Sequence, residues 1–168
     1  NRRARVTGAT NPGTKQAMTT TLALRQSPAL VLAGRNGTFP IGPSDGIRDL
    51  WERFMPDFGK IAGQIGTRAY GVCHRFDGKG HMDYMAGVEV ENAGEVPGYL
   101  HTLIIPTRKV AVFRHEGDIA TLSETWRRIF EEWLPAAKLT VADGPQFEVY
   151  DFSSDDGPGI IDIHIPVT

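Results

Sequence analysis

The chain has 168 residues, of which 40% are hydrophobic and 23% are charged, as is usual for a globular domain. Four of its 18 basic residues lie within residues 1–17, which leaves 14 basic against 20 acidic residues in the remainder, a net charge of about −6. This acidic balance argues against general binding to nucleic acid, because such binding relies on lysine and arginine to neutralise phosphates. The single cysteine, Cys73, excludes a disulfide within the chain and a cysteine-based zinc site.

Residues 1–17 contain no acidic residue and show no apolar periodicity, and they precede Met18, which has the character of a native start. We therefore expect a disordered leader that derives from cloning or from upstream translation, and we assign a single domain to residues 18–168. A basic arm that touches a partner is the alternative. The sequence has neither a signal-peptide core nor an apolar run long enough to cross a membrane. We therefore expect a cytoplasmic protein that does not bind membranes.

The first half of the chain predicts the order strand, helix, strand, strand. Ser44 or Asp45 could cap the helix, whose apolar residues recur on one helical stripe. Pro56 should kink or break this helix near Met55, because proline removes a backbone donor. The strands of this half are predicted at residues 29–37, 69–76 and 83–91.

The same order recurs in the second half, after a linker at residues 92–108. Gly117 and Asp118 begin a helix with a second apolar stripe, and Pro135 should end it. The strands of this half are predicted at residues 109–116, 146–152 and 160–167.

The two halves match at a constant spacing. Gly71 and Glu148 begin equivalent Gly-Val and Glu-Val pairs, and their offset of 77 residues also relates the last strands of the two halves. We therefore predict an α+β fold of two β-α-β-β repeats, at residues 22–91 and 109–167, related by a pseudo-twofold axis. The repeats should form one antiparallel sheet with both helices on one face and a ligand cleft between the repeats.

Strand alternation predicts which side chains share a face of the sheet. The residues expected to face the helices are Phe147, Val149, Ile161, Ile163 and Ile165. Those expected on the opposite face, together with the cleft, are Glu148, Tyr150, Asp162, His164, Gly71, Cys73, Met85, Gly87 and Glu89. Since Gly71 is the equivalent of Glu148 and has no side chain, a bulky group could lie above it within reach of the carboxylate.

Several segments resemble the gyrase-inhibitor-like (GyrI-like) small-molecule-binding domain. They are YMAGVEV (84–90), KVAVFRHEGD (109–118), WLP (133–135), GPQFEVYDF (144–152) and DIHIPV (162–167). The resemblance covers residues 22–167. It implies the fold of the effector-binding modules found in bacterial multidrug-responsive transcription activators, with an aromatic-walled cleft between the repeats.

The resemblance also implies a role for Glu148. In drug-binding members a buried glutamate within the pattern F-E-x-Y contacts cationic, planar ligands, and that pattern matches Phe147 to Tyr150. A carboxylate in an apolar cleft should have a raised pKa, and a cation would offset part of its desolvation. The candidate ligand-binding residues are Glu148, Tyr84, Met85, Phe39, Trp51, Trp126 and Tyr150.

Each candidate also has a purely structural interpretation. Glu148 could be a solvated strand residue, and Trp51 and Trp126 could simply pack in the core. Strand parity puts Tyr84 on the helix face beside Val88 and Val90. The five histidines lack metal-ligand spacing, so we expect no metal and no cofactor.

The resemblance favours a stand-alone module that binds amphipathic, cationic small molecules, because residues 1–21 are too short for the helix-turn-helix of the activators. Direct binding to nucleic acid is therefore not expected. One alternative is a hydrolase of reactive, cyclopropane-bearing antibiotics that uses Glu148 with Tyr84 or Tyr150 as general acid or base. A second is a gyrase-inhibitor-type module that acts through protein interaction. A homodimer formed through an edge strand at residues 29–37 or 109–116 also stays open.

Overall fold

The computed structural model describes residues 3–5, 21–42, 44–155 and 157–168. Most of the predicted leader therefore lies outside the described residues. Within it, Arg3–Arg5 form a short strand, β1, which pairs with the strand Thr21–Ser27, β2. These three residues thus belong to the sheet and not to a disordered leader.

The described residues form one antiparallel sheet of nine strands. After β1 and β2, its strands are Leu30–Pro40 (β3), Arg68–His74 (β4), His81–Glu89 (β5), His101–Ile105 (β6), Arg108–Glu116 (β7), Gln146–Asp151 (β8) and Ile160–Pro166 (β9). Their spatial order is β1-β2-β7-β9-β8-β4-β5-β3-β6.

The first helix, α1, spans Asp45–Phe54. It begins where the sequence predicts, because the hydroxyl of Ser44 accepts a hydrogen bond of 3.3 Å from the backbone N–H of Ile47. It ends before Pro56, which lies in a 3₁₀ turn, Met55–Asp57. The predicted break near Met55 is therefore confirmed.

The second helix is less regular than its stripe predicts. The α-helix proper, α2, spans Leu122–Arg128 and is followed by a π-helical turn, Ile129–Trp133, and by a last α-helical turn, Leu134–Ala136 (α3). Asp118 caps a 3₁₀ turn that precedes α2 by accepting from the N–H of Ala120. Within the described residues, no helix is both long and apolar enough to cross a lipid bilayer.

The internal duplication is visible in the strand order. One repeat is β3-α1-β4-β5 and the other is β7-α2-β8-β9, and their strands β4 and β8 are neighbours at the centre. Gly71 and Glu148, which are equivalent by sequence, lie directly opposite each other in the β4–β8 register. The pseudo-twofold axis therefore passes beside this pair of residues, and the predicted β-α-β-β repeats are confirmed.

Three strands were not predicted from the sequence: β1, which lies in the predicted leader, and β2 and β6. Strand β6 lies in the segment assigned as a linker and pairs with β3 at one edge of the sheet. The short apolar run at residues 103–105 was its only sequence signal. Strand β2 pairs with β7 and extends the sheet beyond the second repeat. Strands β2 and β6 cover strands that the two repeats alone would leave as edges.

Both helices lie on one face of the sheet, as predicted, but the prediction exchanged the two faces of β8. Glu148 pairs with Ile163, and Phe147 pairs with His164. Directly paired residues share a face, and Ile163 packs under α2. The helices therefore cover Glu148 and Tyr150, and not Phe147 and Val149 as predicted.

The register across the sheet corrects the first repeat in the same way. Gly71 and Cys73, predicted to face away from the helices, share the helix face with Tyr84. Met85, Gly87 and Glu89 alternate with that face and lie opposite, as predicted. The error arose because alternation fixes relative and not absolute orientation within a strand.

An isoleucine of this sheet should contribute to the stability of the protein according to how deeply it is buried. Ile163 is fully buried under α2, whereas Ile104 on the edge strand β6 is 66% exposed. We expect Ile163→Ala to lower the free energy of unfolding by about 2–5 kcal/mol, because it leaves a cavity. The same change at Ile104 should cost less than about 0.5 kcal/mol. Urea unfolding followed by circular dichroism measures both, and equal losses would contradict the described packing.

Candidate functional site

A buried carboxylate lies where the two repeats meet. Glu148 projects from β8 on the helix face and is 7% exposed. Trp51 of α1 packs against the core clusters of both repeats, so α1 extends over this junction. The helices and the two central strands therefore enclose the carboxyl group.

Three side chains donate hydrogen bonds to the Glu148 carboxylate. The indole N–H of Trp126 donates to Oε1 at 2.7 Å. The hydroxyls of Tyr150 and Tyr84 donate to Oε2, the latter at 3.5 Å. The indole N–H of Trp51 in turn donates to the Tyr84 hydroxyl oxygen at 3.0 Å. The network thus joins both helices to strands of both repeats.

Burial and charge shift the pKa values of this network upwards. Desolvation raises the pKa of Glu148 above its ordinary value, and the hydrogen bonds from Tyr150, Trp126 and Tyr84 offset part of that rise. Burial, reinforced by the charge of Glu148, raises the pKa of Tyr84 and of Tyr150. Both phenols therefore keep their protons at neutral pH and act as donors to the carboxylate.

The carboxylate has no basic counter-ion among the described residues. The ion pairs within that part of the chain join other side chains and do not include Glu148. Neutral donors can satisfy the oxygen lone pairs, but they do not neutralise the charge. The site therefore holds an uncompensated negative charge whenever Glu148 is ionised.

Gly71 makes this arrangement possible. A Cβ atom at this position would overlap the Tyr84 hydroxyl and would lie 3.0 Å from Oε2 of Glu148. The sequence predicted that a bulky group could lie above Gly71 within reach of the carboxylate. The structure shows that this group is the phenol of Tyr84.

Aromatic rings close the site on the solvent side. The ring of Trp51 meets that of Tyr150 edge-on at 5.1 Å, and Trp126 stacks on Phe130 at 6.2 Å. Both indoles are partly buried, whereas Tyr84 and Tyr150 beneath them are 3% and 6% exposed. A molecule could therefore reach the carboxylate only if one of the indole rings moved outward.

Five of the seven residues predicted for the site lie together in this network: Glu148, Tyr84, Tyr150, Trp51 and Trp126. Phe39 lies beside it, since its ring covers Gly37, the register partner of Tyr84. Met85 does not lie in this network. Its side chain packs on the other face of the sheet, with Tyr70, Val72 and Phe147.

The face that carries Glu148 also differs from the prediction. The site lies beneath the helices and not on the opposite face. Tyr84 consequently belongs both to the helix face, as strand parity indicated, and to the site, as the resemblance implied. Cys73, the register partner of Tyr84, was not proposed as a site residue. Burial and the charge of Glu148 raise the pKa of the Cys73 thiol. The sequence signal for its position was its spacing of two residues from Gly71, which places both residues on the same face of the strand.

Substitution of Gly71 tests the fit of the network. In Gly71→Ala, the new methyl group must displace the Tyr84 ring, which should lower the free energy of unfolding by about 1–3 kcal/mol. Gly98→Ala is the control, because a Cβ there meets no atom within 4 Å. Thermal unfolding measures both variants. A Gly71→Ala protein as stable as the control would show that Tyr84 does not need this space.

The pH dependence of stability tests the burial of Glu148. Because its folded pKa is raised, the native state binds this proton more tightly than the unfolded chain does. The stabilisation is therefore full below the unfolded-state pKa, about 4.3, and is lost as the pH rises through the folded-state pKa. We expect the free energy of unfolding of the wild type, minus that of Glu148→Gln, to fall over this range. Urea unfolding at a series of pH values measures it, and a difference that rises with pH would contradict the burial.

Comparison with known proteins gives this geometry a context. The profile of the GyrI-like small molecule binding domain matches residues 21–168. The transcriptional regulator BrlR of Pseudomonas aeruginosa is 33% identical over 146 residues, which cover 84% of this chain and 53% of BrlR. The chain thus spans about half the length of this relative.

Solved structures share the fold. The structure of SAV2435 bound to tetraphenylphosphonium matches with a TM-score of 0.70 at 22% identity, over 88% of this chain and 93% of that one. The EcmrR C-terminal domain matches with a TM-score of 0.65 at 17% identity, over 89% and 98% of the two chains. The duplicated architecture, the profile match and the relationship to BrlR together establish that this chain belongs to the GyrI-like small molecule binding domain family.

Proposed function

We propose that the domain binds amphipathic, aromatic organic cations at Glu148, as the effector-sensing part of a regulatory system. The observation that carries this proposal is the carboxylate itself, which is buried among rings and has no basic counter-ion among the described residues. A buried charge without a partner is costly. A ligand that supplies the missing positive charge recovers part of that cost.

The surrounding rings suit such a ligand. Cations are attracted to the faces of Trp and Tyr by roughly 0.5–2 kcal/mol per contact, and by more when water is excluded. Two indoles and two phenols surround the Glu148 carboxylate. Because ring faces and one charge set few geometric demands, this chemistry selects a class of compound more than a single compound.

Binding would proceed by exchange of partners at the carboxylate. The indole of Trp126 and that of Trp51 each donate one hydrogen bond to the network. An incoming cation would replace the indole N–H of Trp126 as the partner of Oε1. The displaced ring could then pack against the ligand, so that the site remains closed to water in both states.

Two relatives support the ligand class and the regulatory role. SAV2435, which shares the fold, is bound to tetraphenylphosphonium, an aromatic cation, in its structure. BrlR is a transcriptional regulator. We extend both properties to this domain as parts of the proposal, with DNA binding assigned to another domain or chain.

Removal of the Glu148 charge tests the proposal. We expect Glu148→Gln to bind tetraphenylphosphonium at least about tenfold more weakly than the wild type, a loss of about 1.4 kcal/mol. Glu91→Gln removes the same charge from an exposed position and should leave the affinity within about twofold of the wild type. Isothermal titration calorimetry measures all three proteins.

The pH supplies a second readout of the same interaction. Tetraphenylphosphonium has a permanent charge, so only the protein titrates. Its affinity should rise as the pH increases through the raised pKa of Glu148, and the affinity of Glu148→Gln should not follow that rise. Equal affinities of the wild type and of Glu148→Gln at neutral pH would remove Glu148 from the ligand site.

A further inference from the structure

A groove of about 670 Å³ lies on the sheet face away from the helices. Its lining includes Leu30 of β3 and Val110 of β7, although four strands separate β3 from β7 in the sheet order. The sheet must therefore curl around the groove like part of a barrel. The open ends of such barrels are frequent sites for small ligands, and the volume falls within the usual range of about 300–1,000 Å³.

The floor of the groove is apolar and includes aromatic rings. Tyr70, Phe147 and Val149 lie on it, side by side on β4 and β8. Tyr70 and Phe147 are buried. The imidazole of His164 stacks on the ring of Phe147 with a centroid distance of 4.6 Å and an interplanar angle of 17°. Val149 and the imidazole of His164 are half-buried, so they supply the surface of this floor that a ligand could contact.

The charged groups of the groove are unequally paired. They are Arg25, Arg68, Arg114, Asp151 and Asp162. Arg114 donates two hydrogen bonds, of 3.0 and 3.3 Å, to Asp162. Asp151 accepts from the Thr67 hydroxyl and from the N–H of Ser153. Within the described part of the chain, Arg25 and Arg68 make no ion pair of 4 Å or less.

The charges of Arg25 and Arg68 both act on His164. Burial lowers its pKa to about 4, and the charges of Arg25 and Arg68 add to this effect against the opposing charge of Asp162. The ring is therefore neutral at physiological pH. Its Nδ1 is buried and has no hydrogen-bond partner among the described residues. A ligand oxygen or N–H group at this end of the groove would find both a positive field and an unpaired polar atom.

We propose that this groove is a second ligand site, specific for a small organic anion with a ring-containing apolar body. Arg25 and Arg68 bind the carboxylate, sulfonate or phosphate group, because guanidinium groups match the geometry of such anions. Val149 and the imidazole of His164, which is stacked on Phe147, contact the body. The site is separate from Glu148, which lies on the other face of the sheet, and it selects the opposite charge.

The test uses a matched pair of fluorescent dyes. Anilinonaphthalene sulfonate is an anion, and phenylnaphthylamine is the same ring system without the sulfonate. We expect the wild type to bind the sulfonate dye at least about tenfold more tightly than the neutral dye, since charge-assisted hydrogen bonds are the stronger ones. The double variant Arg25→Gln/Arg68→Gln should lose this preference and keep its affinity for the neutral dye.

Two controls separate this site from general charge and from the Glu148 site. Arg53→Gln/Arg75→Gln removes the same charge from exposed positions outside the groove and should retain the preference for the anion. Glu148→Gln and saturation with tetraphenylphosphonium should also leave binding of the sulfonate dye unchanged. This result would stand whether or not tetraphenylphosphonium binds at Glu148.

Three outcomes would overturn the proposal. The first is equal affinity of the wild type for the two dyes. The second is the same loss of affinity in Arg53→Gln/Arg75→Gln as in the groove variant, which would indicate net charge alone. The third is displacement of the sulfonate dye by a short DNA duplex, which would assign the two arginines to a nucleic-acid surface.

Discussion

One buried carboxyl group held between two halves of a duplicated fold organises this protein. The Glu148 carboxylate is buried at the pseudo-twofold axis, and neutral donors from β5, β8 and α2 satisfy its oxygens without neutralising it. Hydrogen bonding thus removes most of the cost of burying polar atoms and leaves the electrostatic cost in place. The structure of the site and its proposed chemistry both follow from the absence of a positive charge to neutralise the carboxylate.

The same interaction couples the site to the fold. Trp51 and Trp126 belong to different repeats and to different helices, yet each indole ends on the same small network around Glu148. A molecule that displaces Trp126 from the carboxylate therefore breaks a hydrogen bond between α2 and the sheet. The proposed sensing role requires such a link, because a ligand shifts a conformational equilibrium only by contacts that differ between the two states.

The sequence was sufficient for the repeats and for most of the site, and insufficient for orientation. The same offset relates Gly71 to Glu148 and the last strand of the first half to the last strand of the second half. This offset predicted two β-α-β-β units, which the sheet order confirms. Alternation within β8 could not by itself say which face met the helices, so Met85 was grouped with Glu148 although it packs on the other side. That information resides in the register of β8 against β9, which the period-two pattern of each strand alone does not encode. The groove around Arg25 and Arg68 was invisible for the same reason, since it exists only once distant strands curl together.

The pairing of Gly71 with Glu148 across the axis has a consequence for how such a protein can be assembled. Two separate copies of one identical repeat would meet at this position with either two glycines or two glutamates. Two glycines would leave the axis without a charge, and two adjacent carboxylates would repel each other until one took up a proton. Fusion of the repeats into one polypeptide lets the two copies diverge, so that a lone acidic group can occupy a near-symmetric centre. Gene duplication within a single chain, and not association of like subunits, is what makes an odd charge at the axis attainable.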